Sequence, residues 1–338
     1  MAFTRRDILL GAASAAAVVG SINRRAEAAD FNIRLATQYN PNQPIGIGYD
    51  RWAEAVTNRS QGRVAVRVFH NRTLIDSVES FASVKSGSVE ASNMIAGFMT
   101  GDLPDLSALQ LPFLFDDHAH YRRVLQAGAF DAIGKLYEKN NIRILNYFPK
   151  GSVHFYDRAK FLATPAAFKG ENIRTVGGYQ SRMVEILGAS AVTLPGGEVM
   201  PALQRGVITG LITNFDGYIG YSWYRDAKYV FKIGAAEDGE GLGVNLALFN
   251  RMPPDLQAVL VQAAREMEDY EWNEIGRIDD RGGDEEKWKQ LGLNVRIATA
   301  DERAAFREAL QPLYNSAKAE LPLATLLIQL ADQTRKQA

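Results

Sequence analysis

The sequence predicts an α/β fold with two lobes, each built around a mainly parallel sheet. The 338 residues are enough for two domains with separate cores. Apolar alternation at residues 31–37 and 63–69 predicts strands, and the pattern at residues 49–58 between them is helical. The same succession of strand and helix recurs after a break near residues 149–151, which predicts a second lobe and a hinge.

The remaining elements follow the same patterns along the chain. Further strands are predicted at residues 89–95, 142–148, 153–156, 172–176, 191–194, 207–213 and 242–248. Further helical periods lie at residues 76–86, 119–140, 179–187, 198–205, 215–227 and 255–287. Pro253 precedes the last of these patterns, which is long enough to bridge both lobes.

These patterns divide the chain into predicted units. Lobe I covers residues 29–151 and about 242–255, and lobe II covers residues 152–241 together with the C-terminal helices. The helix at about residues 255–287 joins the two lobes. The glycine-rich run at residues 239–243 imitates a phosphate-binding loop, but it precedes a strand instead of opening a helix. We therefore interpret this run as a turn.

Residues 1–28 have the features of an export signal, with a basic start, an apolar run at residues 8–22 and a small residue at Ala28. The apolar run is shorter than the roughly 20 residues that span a membrane. Arg5 and Arg6 resemble the twin-arginine signal, and an ordinary Sec signal is the alternative. We expect a periplasmic protein that is not embedded in the membrane.

Composition and motifs argue against several classes of function. The formal net charge of −1 gives no basic surface for nucleic acid, and the absence of cysteine excludes thiolate chemistry. His118 and His120 follow two aspartates, but no H-E-x-x-H pattern accompanies them, so a helix start is favoured over a metal site. There is also no G-x-S-x-G motif. We predict no catalytic residue, no metal site and no cofactor.

Arg174 stands inside the apolar strand pattern at residues 172–176. A buried cation without a partner is costly, so this position requires an anion. A ligand carboxylate is one source, because a guanidinium group binds a carboxylate through two parallel hydrogen bonds. An Asp or Glu of the chain itself is the alternative.

Several motifs in the same order resemble one known family. Residues 111–115 read LPFLF, residues 168–174 read FKGENIR, residues 187–189 read LGA and residues 197–210 read GEVMPALQRGVITG. Over residues 31–270, approximately, the chain is similar to the extracytoplasmic solute receptors of tripartite ATP-independent periplasmic (TRAP) transporters.

The resemblance implies a two-lobed periplasmic binding protein fold that closes on a small organic acid. It also implies delivery of that ligand to the membrane subunits of a TRAP permease, and a role for Arg174 in binding the ligand carboxylate. An ABC-type solute-binding protein and a periplasmic lyase or isomerase are the alternative functions.

Three sites depart from the family pattern. Val153 stands where the family usually has a second arginine, and His154 beside it is a candidate ligand contact. Gly196 replaces an aromatic residue and is expected to enlarge the cavity. Thr213 and Asn214 are the candidates for the family's binding amide. These changes predict a monocarboxylate ligand whose remainder is aromatic or hydroxylated.

Lobe I contributes further candidates at the ends of its strands. Gln38 and Tyr39 follow the first strand, and Asn93 and Phe98 lie at the end of the strand at residues 89–95. Ligands of α/β folds bind beyond the carboxyl ends of strands, so these four residues are predicted to face the ligand. The aromatic residues at positions 218, 221, 223 and 224 are interpreted as packing groups.

Overall fold

Two β-sheets with helices on their faces form the two lobes. The structure is a computed structural model that describes residues 29–280 and 285–335. The predicted export signal at residues 1–28 lies outside the described residues. Within the two described ranges, no helix has both the length and the apolar composition needed to cross a membrane.

The first sheet defines lobe I. Its strands are β1 (Phe31–Ala36), β2 (Val64–Phe69), β3 (Ala91–Ile95), β4 (Ile142–Ser152) and β10 (Glu237–Asn245). The order across the sheet is β2-β1-β3-β10-β4. β1 pairs in parallel with β2 and β3, whereas β10 runs antiparallel to both β3 and β4.

The second sheet defines lobe II. Its strands are β5 (His154–Asp157), β6 (Asn172–Thr175), β7 (Ser190–Thr193), β8 (Gly210–Thr213), β9 (Tyr229–Lys232) and β11 (Asn294–Ile297), in the order β11-β9-β5-β8-β6-β7. Five of the nine strand pairings in the described residues are parallel. The two-lobed α/β fold predicted from the sequence is confirmed, with a mixed sheet in each lobe.

Helices cover these sheets. They are α1 (Pro44–Arg59), α2 (Ser80–Ser86), α3 (Ala96–Met99), α4 (His118–Val124), α5 (Phe130–Glu138), α6 (Gly178–Ile186), α7 (Gly196–Gln204), α8 (Phe215–Gly220), α9 (Leu246–Arg251), α10 (Pro254–Asp280), α11 (Glu285–Gln290), α12 (Ala300–Ala309), α13 (Gln311–Glu320) and α14 (Pro322–Thr334). Short 3₁₀ helices at residues 77–79, 104–110, 165–168 and 223–225, and a π-helical turn at residues 125–129, complete the connections.

The glycine-rich run at residues 239–243 lies inside β10, so its interpretation as a turn was wrong. A β-carbon at Gly239 would lie 2.5 Å from the Tyr121 hydroxyl oxygen, and one at Gly241 would lie 2.7 Å from the Asn146 carbonyl oxygen. Glycine is required because neighbouring groups approach this backbone too closely for a side chain. The chain consequently returns to lobe I at Glu237 instead of at about residue 242.

The long helix α10 lies on lobe I. The Trp52 indole nitrogen donates a hydrogen bond to the Leu260 carbonyl at 3.2 Å, and the Asn146 amide donates to the Ala264 carbonyl at 2.8 Å. Both donors belong to lobe I elements, so the middle of the helix is fixed to that lobe. Four residues outside the described ranges, 281–284, separate α10 from α11.

After α10 the chain crosses to lobe II and then returns. Trp288 of α11 stacks on Phe215 with ring centroids 4.6 Å apart, and Phe306 of α12 packs on the lobe II strand β5. α14 packs on α4 of lobe I, where His120 Nε2 lies 2.9 Å from the Ala331 carbonyl oxygen. The C-terminal helices therefore divide between the lobes, although the sequence suggested lobe II for all of them. An apolar stripe shows that a helix is buried, but not against which lobe.

Candidate functional site

Strand ends from both lobes meet around one cavity. It contains about 390 Å³ of empty space, part of which is open to solvent. The lining residues are Gln38, Tyr39, Ile95, Phe98, Lys150, Arg174, Val176, Gly196, Thr213, Asn214, Gly217, Tyr221, Trp223 and Asp238. Most of them stand at or just beyond the carboxyl ends of β1, β3, β6 and β8, where α/β folds bind their ligands.

Arg174 lies on β6 and is 3% exposed. Its Nε and Nη2 atoms both donate hydrogen bonds to the Leu194 carbonyl oxygen, at 3.0 and 2.8 Å. The guanidinium carbon lies 5.3 Å from the centre of the Trp223 ring, within the range of a cation–π contact. Burial lowers the pKa of Arg174 to about 10, against the opposing influence of Tyr221 and Asp238.

No acid of the described chain forms an ion pair with Arg174. Within the described residues, no Asp or Glu oxygen lies within 4.0 Å of its guanidinium nitrogens. Within this part of the chain, Arg174 therefore has no acid with which to form the internal ion pair that was the alternative. The guanidinium is oriented by one carbonyl oxygen and one ring, which leaves its charge available to an anion in the cavity.

Lys150 supplies a second cation to the cavity, and this one has an internal partner. Its ammonium group donates to Asp238 Oδ2 at 3.1 Å, and both side chains are buried. Asn214 donates to the same oxygen at 3.0 Å, and the Gly239 amide donates to Asp238 Oδ1 at 3.0 Å. The Asp238 carboxylate is therefore held by three donors, and it neutralises Lys150.

A buried carboxyl group supports the lobe I wall of the cavity. Glu240 accepts hydrogen bonds from the hydroxyls of Tyr39 and Tyr49, both at 2.7 Å. Burial raises the pKa of Glu240 to about 7, and the positive charge of Lys150 opposes that rise. Burial likewise raises the pKa of Asp216 to about 6. The Glu240 carboxyl, with its pKa raised toward neutral, therefore lies directly behind the lining residue Tyr39.

Gly196 does not leave open space, contrary to the expectation from the sequence. A β-carbon at this position would lie 2.7 Å from Cζ of Tyr221, so the tyrosine ring occupies the volume of the absent side chain. The ring stacks on Trp223 with centroids 5.0 Å apart. The Tyr221 hydroxyl oxygen is buried and has no hydrogen-bond partner within the described residues.

Most of the residues predicted from the sequence line this cavity. They are Gln38, Tyr39, Phe98, Arg174, Gly196, Thr213 and Asn214. Asn93 and His154 do not line it. The Asn93 side chain is fully buried on β3, with its amide 3.5 Å from the Ser77 hydroxyl. His154 Nδ1 accepts a hydrogen bond from the Gly234 amide at 2.9 Å.

Sequence reasoning missed or misread four polar and aromatic members of the cavity. Tyr221 and Trp223 were interpreted as packing groups only, and Lys150 and Asp238 were not proposed. A lysine that interrupts the apolar pattern leading into the predicted break at residues 149–151 was the one available signal. Asp238 gave no comparable signal because it precedes a glycine run that resembles a turn.

The two histidines considered as metal ligands make other contacts. His118 Nδ1 lies 2.8 Å from a Glu237 carboxylate oxygen, and His120 Nε2 lies 2.9 Å from the Ala331 carbonyl oxygen. They connect α4 to β10 and to the C-terminal helix. Within the described residues, no group of three or more His, Cys, Asp or Glu side chains is arranged to hold a metal ion.

Comparisons with known proteins agree with this architecture. Residues 35–320 match the model of the family DctP, bacterial extracellular solute-binding protein, family 7. A solute-binding protein of Chromohalobacter salexigens is 26% identical over 294 residues, which is 86% of each chain. The 2,3-diketo-L-gulonate-binding periplasmic protein of Escherichia coli is 23% identical over 280 residues, which is 82% of this chain and 84% of the relative.

Solved structures share the fold. A TRAP periplasmic solute-binding protein of C. salexigens with bound D-glucuronate has a TM-score of 0.82 at 23% identity, covering 90% of this chain and 100% of the other. The corresponding protein of Haemophilus influenzae with bound L-gulonate has a TM-score of 0.84 at 19% identity, again over 90% and 100%.

The family match covers most of the chain, and its members are solute-binding receptors and not enzymes. The cavity between two lobes, with a buried arginine in the strand motif that carries the family resemblance, fits that assignment. This chain belongs to the family DctP, bacterial extracellular solute-binding protein, family 7.

Proposed function

We propose that this receptor binds a hydroxylated monocarboxylate in the interlobe cavity and delivers it to the membrane subunits of a TRAP permease. The observation that carries the proposal is Arg174, a buried guanidinium with no acid partner within the described residues. An uncompensated buried charge is unfavourable, and a ligand carboxylate supplies the missing anion.

The charges that line the cavity favour one carboxylate over two. Arg174 and Lys150 are cations and Asp238 is an anion, which leaves a net charge of +1 on the lining. Because Asp238 already neutralises Lys150, a second ligand carboxylate would compete with Asp238 for the ammonium group. Like charges brought together in a desolvated cavity repel strongly.

The polar remainder of the lining suits hydroxyl groups. The Thr213 hydroxyl and the Gln38 amide can donate and accept hydrogen bonds with a polyol, and the Asp238 carboxylate can accept them. Relatives of the same fold hold D-glucuronate, β-D-galacturonate and L-gulonate, each with one carboxylate and several hydroxyls. A further relative holds succinate, so the family as a whole accepts different acids.

Ligand binding and closure are coupled in this proposal. A ligand that contacts Arg174 from lobe II and Gln38 or Lys150 from lobe I has more contacts in the closed form than in the open form. That difference in affinity shifts the population toward the closed form, which the permease recognises.

We further propose that the precursor is exported through the twin-arginine route. Replacing Arg5 and Arg6 by lysine should then retain the precursor in the cytoplasm in a fractionation experiment.

The function is tested by isothermal calorimetry and thermal unfolding of the purified protein with D-glucuronate, D-galacturonate, L-gulonate, orotate and succinate. The hydroxylated monocarboxylates should bind most tightly. A ligand at about 100 times its Kd should stabilise the protein by about 2.7 kcal/mol. Strongest binding of succinate would contradict the monocarboxylate assignment.

Two variants compare the loss of an arginine in the binding site with the loss of an arginine on the surface. Arg174→Ala should abolish ligand binding, because loss of one partner of a buried charged contact costs about 2 to 5 kcal/mol. Arg182→Ala is the matched control, since Arg182 forms an exposed ion pair with Glu320 at 2.7 Å. Equal ligand affinity in both variants would show that the carboxylate binds elsewhere.

A further inference from the structure

Two polar groups in the cavity lining have no hydrogen-bond partner within the described residues. They are the Tyr221 hydroxyl and the Trp223 indole N–H, and both residues line the cavity together with Arg174. Both polar atoms are buried, so water does not replace the missing partner as it does at an exposed surface. A buried polar group that is left unpaired loses its hydration without compensation. Two such groups beside one buried cation require an explanation.

An unusual turn brings the two side chains together. Residues two positions apart on an α-helix point to opposite sides, so their side chains do not stack. Here α8 ends at Gly220, and Ser222 has a φ of 58°, in the left-handed region that is unfavourable for residues other than glycine. The rings of Tyr221 and Trp223 stack with an interplanar angle of 8° and centroids 5.0 Å apart. The strained turn therefore places both rings in the lining of one cavity.

The stacked pair lies against Arg174. The guanidinium carbon is 5.3 Å from the centre of the Trp223 ring. Burial raises the pKa of Tyr221 to about 12, against the opposing influence of Arg72 and Arg174. The Tyr221 hydroxyl therefore keeps its proton at neutral pH, within electrostatic reach of the Arg174 charge. Like the indole N–H, it is available as a hydrogen-bond donor.

A ligand carboxylate is the acceptor that suits these donors. The anion already present in the lining, Asp238, is occupied by Lys150 and Asn214. A carboxylate has roughly four lone-pair sites, more than the two parallel hydrogen bonds from an arginine fill. Hydrogen bonds to an ionised acceptor are also about twice as strong as those between neutral groups. A carboxylate bound at Arg174 thus has acceptor sites left for a hydroxyl and an indole N–H.

We propose that Tyr221 and Trp223 donate hydrogen bonds to the ligand carboxylate and form, with Arg174, one three-donor subsite. The two aromatic residues determine specificity because their donors require a group that offers lone pairs. A carboxylate meets this requirement and an ammonium group does not. The inference rests on the proposed binding of a monocarboxylate at Arg174, to which it adds two neutral donors.

The indole N–H is tested by NMR of the wild-type protein with ¹⁵N-labelled tryptophan. The sequence has four tryptophans, and sequential assignment identifies the indole signal of each. On saturation with D-glucuronate, the Trp223 indole proton should move downfield because it gains an acceptor. Trp288 is the internal control, since its indole nitrogen is also buried without a partner in the described ranges but does not line the cavity. Its signal should stay in place.

The hydroxyl is tested by calorimetry on Tyr221→Phe with D-glucuronate and L-gulonate. Binding of both acids should weaken by the same factor, about threefold, because the two acids share the carboxylate but not the sugar ring. Tyr137→Phe is the matched control. The Tyr137 hydroxyl is likewise buried without a partner among the described residues, and Tyr137 does not line the cavity. This control should leave both affinities unchanged.

The inference fails alone if both acids bind through Arg174 but the Trp223 signal does not move, or if Tyr221→Phe keeps full affinity. A loss confined to one acid would also overturn it, because Tyr221 would then contact the remainder of that ligand. An equal loss in Tyr137→Phe would make the effect of the hydroxyl a structural one. Retained binding in Arg174→Ala, or no binding of either acid to the wild type, would refute the proposed function, and the inference with it.

Discussion

The two cations of the cavity come from different lobes, and they differ in whether an acid of the chain neutralises them. Lys150, from lobe I, is held by Asp238 at 3.1 Å, and that aspartate is further stabilised by Asn214. Arg174, from lobe II, donates to a carbonyl oxygen and has no acid partner within the described residues. Both side chains are almost completely buried.

This difference separates a structural charge from a binding charge. Two buried cations of similar exposure are not equivalent, because a buried ion is tolerated only when an anion compensates it. Lys150 is compensated by the fold itself, and its contribution to the cavity is a hydrogen-bonding group. Arg174 is compensated only when a ligand is present, so its charge contributes to affinity.

The largest expected effect concerns the stability of the ligand-free protein. Lys150→Met leaves Asp238 buried without its cation and should lower the free energy of unfolding by about 3 kcal/mol. Arg174→Met removes an uncompensated charge but also two hydrogen bonds, so its effect should stay within about 1 kcal/mol. Urea unfolding of both variants without ligand measures the contrast. Equal destabilisation by the two changes would remove the distinction between the cations.

Glu240→Gln should change how stability depends on pH. The raised pKa of Glu240 means that its stabilising contribution is complete below about pH 4.5 and is lost as the pH rises to about 7. The loss should be on the order of 3 kcal/mol in the wild type and absent for this group in the variant. Urea unfolding at intervals from pH 4 to pH 8 measures the difference. Parallel curves for the two proteins would show that Glu240 does not titrate in this range.

Asp238→Asn should convert Lys150 from a compensated cation into a second binding charge. The variant should bind succinate about tenfold more tightly relative to D-glucuronate than the wild type does, which corresponds to about 1.4 kcal/mol. Calorimetry with both acids gives the ratio. An unchanged ratio would mean that Asp238 does not set the charge of the ligand.

The smallest effect is expected for Tyr221→Phe. The Tyr221 hydroxyl is buried without a partner in the described part of the chain, so its removal should not destabilise the ligand-free protein. If the hydroxyl donates to the ligand carboxylate beside Arg174, D-glucuronate binding should weaken about threefold, roughly 0.6 kcal/mol. Calorimetry and urea unfolding together test both expectations. Lower stability without weaker binding would assign the hydroxyl a structural role.

The sequence by itself determined the fold class, the family and the position of Arg174. Alternating apolar patterns report which face of a strand is buried, and the motif around Arg174 places a permanent charge on such a face. The buried face of a strand and the charge at Arg174 are local properties, so they can be predicted without knowing which strands become neighbours. Gln38 and Tyr39 followed from their place at the end of the first strand, whereas Thr213 followed from the family resemblance.

The tertiary structure alone decided which charges meet. Lys150 and Asp238 are 88 positions apart in sequence, and they pair because β4 and β10 are antiparallel neighbours. Tyr221 occupies the space at Gly196, although the sequence predicted that this glycine enlarges the cavity. Whether an anion neutralises a buried cation depends on the distance between them in space. The local sequence pattern contains no information about that distance. For this reason the sequence located the binding cation, and only the fold showed that the second cation is already neutralised.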